Sequence, residues 1–399
     1  MNSTTRLVVL VLPIALASGC ATPRPAPTPT AIATTPSPPP AVAIPLAPPS
    51  SPRPPVVAPP APTSDSAPPA AADPARILDL GRALLARGET VEATVALREA
   101  LRLKPDLAEA RASLGLALYA MGDLDAAVEE LRGLLRVRPD LAEARLTLAA
   151  ALVARQDWPA ARAELETALA ASPDLLQAQY TLGVVRYAQG DLAGAIEAYR
   201  RVLAREPRAV DARYNLALVL KLTRRDAEAT PEFLAAAEAG LPRAQYFAGA
   251  AYATGVGVPR DLVAAIAWWT RAAEQGVAQA EEGLALLRQS ASGRARRSPA
   301  DRQAVEQAFG EYRARLWNEY PDLARQGDEP LGAALLRQGR AREAVPVLIR
   351  EAAALSEPAQ RMLETLYHQG IEGQLPAHDA RILAYLKSAA AEGRSRPRP

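Results

Sequence analysis

The chain repeats itself between residues 105–138, PDLAEARASLGLALYAMGDLDAAVEELRGLLRVR, and residues 139–172, PDLAEARLTLAAALVARQDWPAARAELETALAAS. Prolines recur every 34 residues, at Pro105, Pro139, Pro173 and Pro207. An alanine precedes each proline by 12 residues, at Ala93, Ala127, Ala161 and Ala195. A fixed period of this length indicates a stack of helix–turn–helix units, each too small to bury its own apolar face.

Short polar turns divide each unit into two helices, A and B. The turns read Gly88-Glu89, Gly122-Asp123, Gln156-Asp157 and Gly190-Asp191. Glycine supplies the left-handed residue that ends helix A, and Asp caps helix B. One leucine recurs in every unit and is expected to form the internal seam: Leu80, Leu114, Leu148, Leu182 and Leu216. This pattern resembles the tetratricopeptide repeat (TPR) family, in five units that start near residues 74, 108, 142, 176 and 210. In the fifth unit Arg224-Arg225 replaces the Gly-Asp turn.

A second, longer repeat follows. Residues 236–240, AAEAG, recur as residues 272–276, AAEQG, with the loop 255–261 and Trp268-Trp269 between them. This segment resembles the Sel1-like repeat, and a weaker copy ends the chain. The resemblance implies that the tryptophans pack against a neighbouring hairpin; a sugar-binding platform is the alternative. The expected fold is all-α, a right-handed α-solenoid of TPR and Sel1-like repeats preceded by a disordered Pro-rich linker.

The N-terminal residues are typical of an exported protein. Arg6 precedes an apolar run from Leu7 to Leu16, which suits a signal peptide and is too short to span a membrane. The run ends in Ala-Ser-Gly-Cys20, which resembles a bacterial lipobox and implies that Cys20, the only cysteine, carries lipid. Because Ala21 rather than Asp follows, the resemblance implies sorting to the outer membrane. The alternative is an ordinary signal peptide and a soluble periplasmic or secreted protein.

Residues 21–74 hold 20 of the chain's 37 prolines. Such a composition cannot bury enough apolar surface to order itself, and it favours polyproline II. At about 3.1 Å per residue, this tether reaches at most roughly 160 Å. The predicted layout is signal peptide, tether, tetratricopeptide repeats, Sel1-like repeat, basic loop, C-terminal helical region and tail: residues 1–19, 20–74, 75–239, 240–290, 291–299, 300–393 and 394–399.

Composition and motifs argue against several classes of function. A net charge of +2 provides no general field for nucleic acid. The two histidines, His368 and His378, have no cluster of further metal ligands beside them in the sequence, and no phosphate-binding or nucleophile motif is present. The sequence therefore predicts no catalytic residues, no cofactor and no metal. A basic loop with Arg294, Arg296 and Arg297, near Arg288 and Arg302, is read as solvated, with an anionic lipid, glycan or protein contact as the alternative.

Four tyrosines are the candidate partner-binding residues. Tyr180 and Tyr214 occupy one place in successive units, and Tyr119 and Tyr187 share a second place. In tetratricopeptide repeats both places belong to helix A, which lines the concave groove, and aromatic rings with a polar tip suit interfaces. A purely structural role is the alternative.

These features together predict a non-catalytic adaptor that is anchored to the outer membrane and faces the periplasm. It would bind peptide or helical segments of other envelope proteins, as helical repeats do. By analogy, lipoproteins of this class assist secretion, pilus or cell-wall machinery. The alternatives are a cell-wall-associated enzyme or regulator of peptidoglycan enzymes, and a tether that contacts peptidoglycan.

Overall fold

The computed structural model describes residues 73–292 and 298–392. The signal peptide, Cys20, nearly all of the tether, the arginines 294, 296 and 297 and the tail lie outside the described residues. Within the described residues there are eighteen α-helices, one short 3₁₀ helix at Trp317–Glu319, and no strand beyond a single antiparallel bridge between Ile371 and Leu375. None of these described helices is both long and apolar enough to cross a membrane.

The helices of the first half follow the 34-residue period. They are α1 Pro74–Ala86, α2 Thr90–Leu103, α3 Ala108–Met121, α4 Leu124–Val137, α5 Ala142–Ala154, α6 Trp158–Ala171, α7 Leu176–Ala188, α8 Leu192–Arg205, α9 Val210–Leu222 and α10 Asp226–Glu238. The five A helices begin at the positions that the period predicts. Asp73 caps α1 by accepting a hydrogen bond from the amide of Ala75 at 3.0 Å.

The helices of the second half follow a looser pattern. They are α11 Pro242–Thr254, α12 Leu262–Glu274, α13 Ala278–Ala291, α14 Pro299–Leu316, α15 Leu331–Arg337, α16 Ala341–Ala353, α17 Glu357–Gln369 and α18 Ala380–Ala391. Asp261 caps α12 through the amides of Val263 and Ala264, after the long Sel1-like loop. Ser298 caps α14 and Pro299 is its first residue, as predicted.

Two compact units divide between Glu164 and Leu165, within α6. In each unit the two helices of a hairpin approach closely at a small residue. A Cβ on Gly115 would lie 2.6 Å from Leu131 Cδ2, and one on Gly183 would lie 2.6 Å from Tyr199 Cε1. Glycine at these two places therefore permits the close packing of helix A on helix B.

The leucine seam is correct in four of the five units. Leu114, Leu148, Leu182 and Leu216 are at most 2% exposed. Leu80 is 51% exposed, so the expectation is wrong for the first unit. The physical reason is that no described hairpin precedes α1 and could cover this side of it.

The turns show how the repeat tolerates the loss of glycine. Gly88, Gly122 and Gly190 have positive φ, as predicted, and Gln156 and Arg224 take the same left-handed conformation with φ of 61° and 60°. A side chain in this region costs free energy that glycine avoids. The third and fifth units therefore keep the geometry of the turn at some expense of stability.

Candidate functional site

The predicted tyrosines divide into two buried and two half-buried residues. Tyr180 and Tyr214 are 7% and 8% exposed, whereas Tyr119 and Tyr187 are half-buried. The expectation that all four rings are open to a partner is therefore wrong for Tyr180 and Tyr214. Whether any of the four binds a partner stays a prediction.

Tyr180 is held by neighbours on two helices. Its hydroxyl accepts a hydrogen bond from Asn215 Nδ2 at 2.9 Å, and its ring lies 5.9 Å from the ring of Tyr199. Burial raises the pKa of the Tyr180 phenol to about 12, and the nearby Asp211 carboxylate acts in the same direction. Tyr180 therefore belongs to the packed interior of the repeat.

Tyr214 lies in an aromatic cluster. Its ring centroid is 6.0 Å from that of Phe233 and 6.3 Å from that of Phe247, and the two phenylalanines stack at 4.4 Å. Burial raises the pKa of Tyr214 to about 12. The cluster links the last tetratricopeptide hairpin to α11 of the Sel1-like repeat.

The tryptophan pair packs as the family resemblance implies. Trp269 is 8% exposed, its Nε1 donates to the carbonyl of Tyr246 at 3.0 Å, and it fits against Gly249. Trp268 is half-buried beneath the guanidinium of Arg271, which lies 5.0 Å from the ring centroid. A ring covered in this way does not offer a free platform for a sugar.

Arg288 does not belong to an exposed basic surface, in contrast to the sequence-based interpretation. It is 2% exposed, and it donates from Nε and Nη2 to the carboxylate of Glu392 at 2.9 and 2.6 Å. Its Nη2 also donates to Glu281 at 2.6 Å. Arg288 therefore holds the end of α18 against α13, across 104 residues of sequence.

The two histidines lie together beside Tyr367. The ring centroids of His368 and His378 are 6.4 Å apart, and the amide of His378 donates to the carbonyl of Tyr367 at 2.7 Å. In the described ranges 73–292 and 298–392, no three His, Cys, Asp or Glu side chains are grouped as metal ligands. These histidines close the altered loop before α18.

The fourth repeat contains an open cleft of about 620 Å³ that the sequence did not suggest. We call it the fourth-repeat cleft. It runs beside α7 and is bordered by the second half of α6 and the end of α8; its charged and polar lining is Glu166, Asp174, Gln179, Arg186, Arg201 and Arg205. The departure of this unit from its neighbours, described below, is the sequence feature that marks it.

Comparison with known families agrees with the repeat pattern. Tetratricopeptide repeat models match residues 81–122, 113–175, 146–205 and 180–244, and a Sel1 repeat model matches residues 242–277. The chain is therefore a tetratricopeptide and Sel1-like repeat protein. No curated protein sequence matches it.

Solved structures with a similar arrangement of helices include three bacterial repeat proteins. The Pseudomonas aeruginosa pilF structure is 21% identical, covers 53% of this chain and 96% of its own, and has a TM-score of 0.46. MamA from Desulfovibrio magneticus RS-1, from its residue 41 to the end, gives 24%, 42%, 95% and 0.40 for the same quantities. YrrB, described as a TPR protein with an unusual peptide-binding site, gives 20%, 47%, 97% and 0.40.

Proposed function

We propose that this protein is a non-catalytic adaptor that binds segments of other envelope proteins while anchored to the bacterial outer membrane. The observation that carries the binding proposal is the run of stacked hairpins, which gives continuous surfaces with half-buried aromatic rings and an open cleft. Helical repeats bind extended peptides and helices on such surfaces because each hairpin adds contacts to those of its neighbour.

Tyr187 is the tyrosine best suited to contact a partner in the second unit. It is half-buried, so its ring is fixed by packing while part of it faces solvent. Leu222, on the next A helix, is 51% exposed and adds apolar surface. An aromatic ring that is already ordered loses little conformational entropy when it binds, which favours its use at an interface.

The anchoring proposal rests on the N-terminal sequence. A lipid on Cys20 followed by the Pro-rich segment would place the repeats some distance from the membrane and leave their surfaces accessible. Single lipid chains bind membranes only reversibly, so the three chains of bacterial lipoproteins are needed for stable attachment.

Crosslinking in cells tests the binding proposal. A photoreactive amino acid at position 187 is expected to capture a small, reproducible set of envelope proteins. The control places it at Val137, which is 75% exposed and lies in the other unit. Identical products from the two positions, or none from position 187, would contradict binding at this surface.

Metabolic labelling with a fatty-acid analogue tests the anchor. The wild-type chain is expected to take up label and to fractionate with the outer membrane, whereas Cys20→Ser is expected to do neither. Equal labelling of the two chains would exclude Cys20 as the attachment site. Purified protein incubated with isolated cell wall tests the alternative, since turnover of the wall would indicate an enzyme.

A further inference from the structure

The fourth repeat departs from its neighbours at a position where the other units carry an arginine. Arg111, Arg145 and Arg213 occupy this position on their A helices. Each donates to the carbonyl of the proline six residues earlier and pairs with a glutamate on helix B: Glu130, Glu164 or Glu232. In the fourth unit Gln179 replaces the arginine and Ala198 replaces the glutamate.

A second departure lies two helical turns further along α7. Four units carry leucine at this place, namely Leu84, Leu118, Leu152 and Leu220, whereas the fourth unit carries Arg186. Its side chain is only 16% exposed and donates to the carbonyl of Gly194 at 3.2 Å. The unit has therefore gained a buried guanidinium where its neighbours bury an apolar chain.

Gly194 makes room for this guanidinium. A Cβ at position 194 would lie 2.9 Å from Arg186 Cδ, whereas the second and third units carry alanine there, at Ala126 and Ala160. Glycine inside a helix costs about 0.5 to 1 kcal/mol relative to alanine. The two residues are mutually adapted, and together they reduce the stability of the hairpin.

The rearranged side chains leave two hydrogen-bond donors without acceptors. Gln179 is 5% exposed, and its Nε2 has no partner; Nε of Arg186 is also buried and has none. Both residues line the fourth-repeat cleft. Leaving a buried donor unpaired costs about 1 to 3 kcal/mol, and more when the group is charged. A ligand with acceptor oxygens would recover this free energy.

The remaining charges of the cleft are largely paired among themselves. Arg205 lies 2.8 Å from Asp174, and Arg201 lies 2.6 Å from Glu197. Arg186 has only a distant contact with Glu166, at 3.5 Å. With three arginines facing two carboxylates, the lining carries an excess of positive charge.

We infer that the fourth-repeat cleft binds an acidic peptide segment of a partner protein, with Gln179 and Arg186 as the donors that recognise it. A side-chain carboxylate of the segment would accept from Arg186, and a carbonyl or carboxylate oxygen would accept from Gln179. Charge-assisted hydrogen bonds of this kind are roughly twice as strong as neutral ones. This inference rests on the proposed adaptor function and specifies the chemistry of one of its sites.

Selection from a phage-displayed library of random short peptides tests the inference, with the detergent-purified full chain as the target. The peptides retained are expected to be enriched in Asp and Glu. They are expected to bind Arg186→Leu and Gln179→Arg at least about tenfold more weakly, which corresponds to the loss of one charge-assisted bond. Arg208→Leu, which removes an exposed arginine outside the cleft, serves as the matched charge control and is expected to bind as the wild type does.

Both cleft variants restore residues that other units already carry at these positions. Their thermal unfolding is therefore expected at the same temperature as the wild type or higher, so weaker binding cannot be attributed to unfolding. Peptides without an excess of acidic residues, or equal binding by Arg186→Leu, would overturn the inference and leave the adaptor proposal standing. No enriched peptide at all would count against both.

Discussion

The buried ion pair between Arg288 and Glu392 predicts that a single substitution in α13 releases the last helix of the chain. The Arg288 side chain is 1% exposed, that of Glu392 is 13% exposed and that of Glu281 is 45% exposed. Arg288→Met keeps most of the volume and removes the charge. The carboxylate of Glu392 then stays largely buried without its arginine.

The size of the effect follows from burial. Breaking a fully buried pair costs about 3 to 5 kcal/mol. Since the carboxylate of Glu392 keeps some contact with water, and that of Glu281 is half exposed, we expect about 2 to 3 kcal/mol. This corresponds to a loss of protection of roughly 30- to 150-fold for the amides of α18.

Hydrogen exchange resolved to individual helices measures this directly. Amides of Ala380–Ala391 should exchange faster in Arg288→Met, while those of α7 to α9 keep their protection. Arg381→Met is the control, because Arg381 lies on α18 and pairs with Asp379 at the surface, where ion pairs contribute about 1 kcal/mol or less. Unchanged protection of α18 in Arg288→Met, or an equal loss in both variants, would refute the reasoning.

Three further predictions concern stability. Gln156→Gly and Arg224→Gly should each stabilise the protein by about 0.5 to 1 kcal/mol in urea unfolding, since both residues have positive φ; destabilisation would mean that their side chains hold the turns. Tyr180→Ala should cost about 3 to 5 kcal/mol and Tyr187→Ala about 1 kcal/mol, which thermal unfolding of the two variants would compare. Tyr180 and Tyr214 stay neutral in the folded state up to a pKa of about 12 but ionise near 10 when unfolded. Their stabilisation is therefore complete below pH of about 10 and is lost as the pH rises towards 12, which tyrosinate absorbance followed against circular dichroism would detect.

The period of the sequence predicted the helices well because each boundary is specified locally. Asp73 with Pro74, and Ser298 with Pro299, contain their own capping chemistry, so no distant contact is needed to place the start of a helix. The starts of the five A helices follow from the same local information repeated at a fixed interval.

Burial was harder to predict because it depends on residues from neighbouring hairpins. Tyr180 and Tyr214 share a place in the repeat that is associated with a groove, but Asn215 and Tyr199 enclose the first, and Phe233 and Phe247 enclose the second. Similarly, the pairing of Arg288 with Glu392 joins segments that no local pattern connects.

The fourth unit shows where a repeat protein reveals function in its own sequence. Each unit is a comparison for the others, because the same backbone must be stabilised at each step of the stack. Gln179, Arg186, Gly194 and Ala198 all differ from the residues that their neighbours use, and the structure brings the first three into direct relation along α7 and α8. One such change could be neutral drift. Changes that remove an ion pair, bury a guanidinium, place glycine inside a helix and leave two donors unpaired all reduce stability, and their occurrence in a single unit beside a cleft is the pattern expected where local rules are broken for binding.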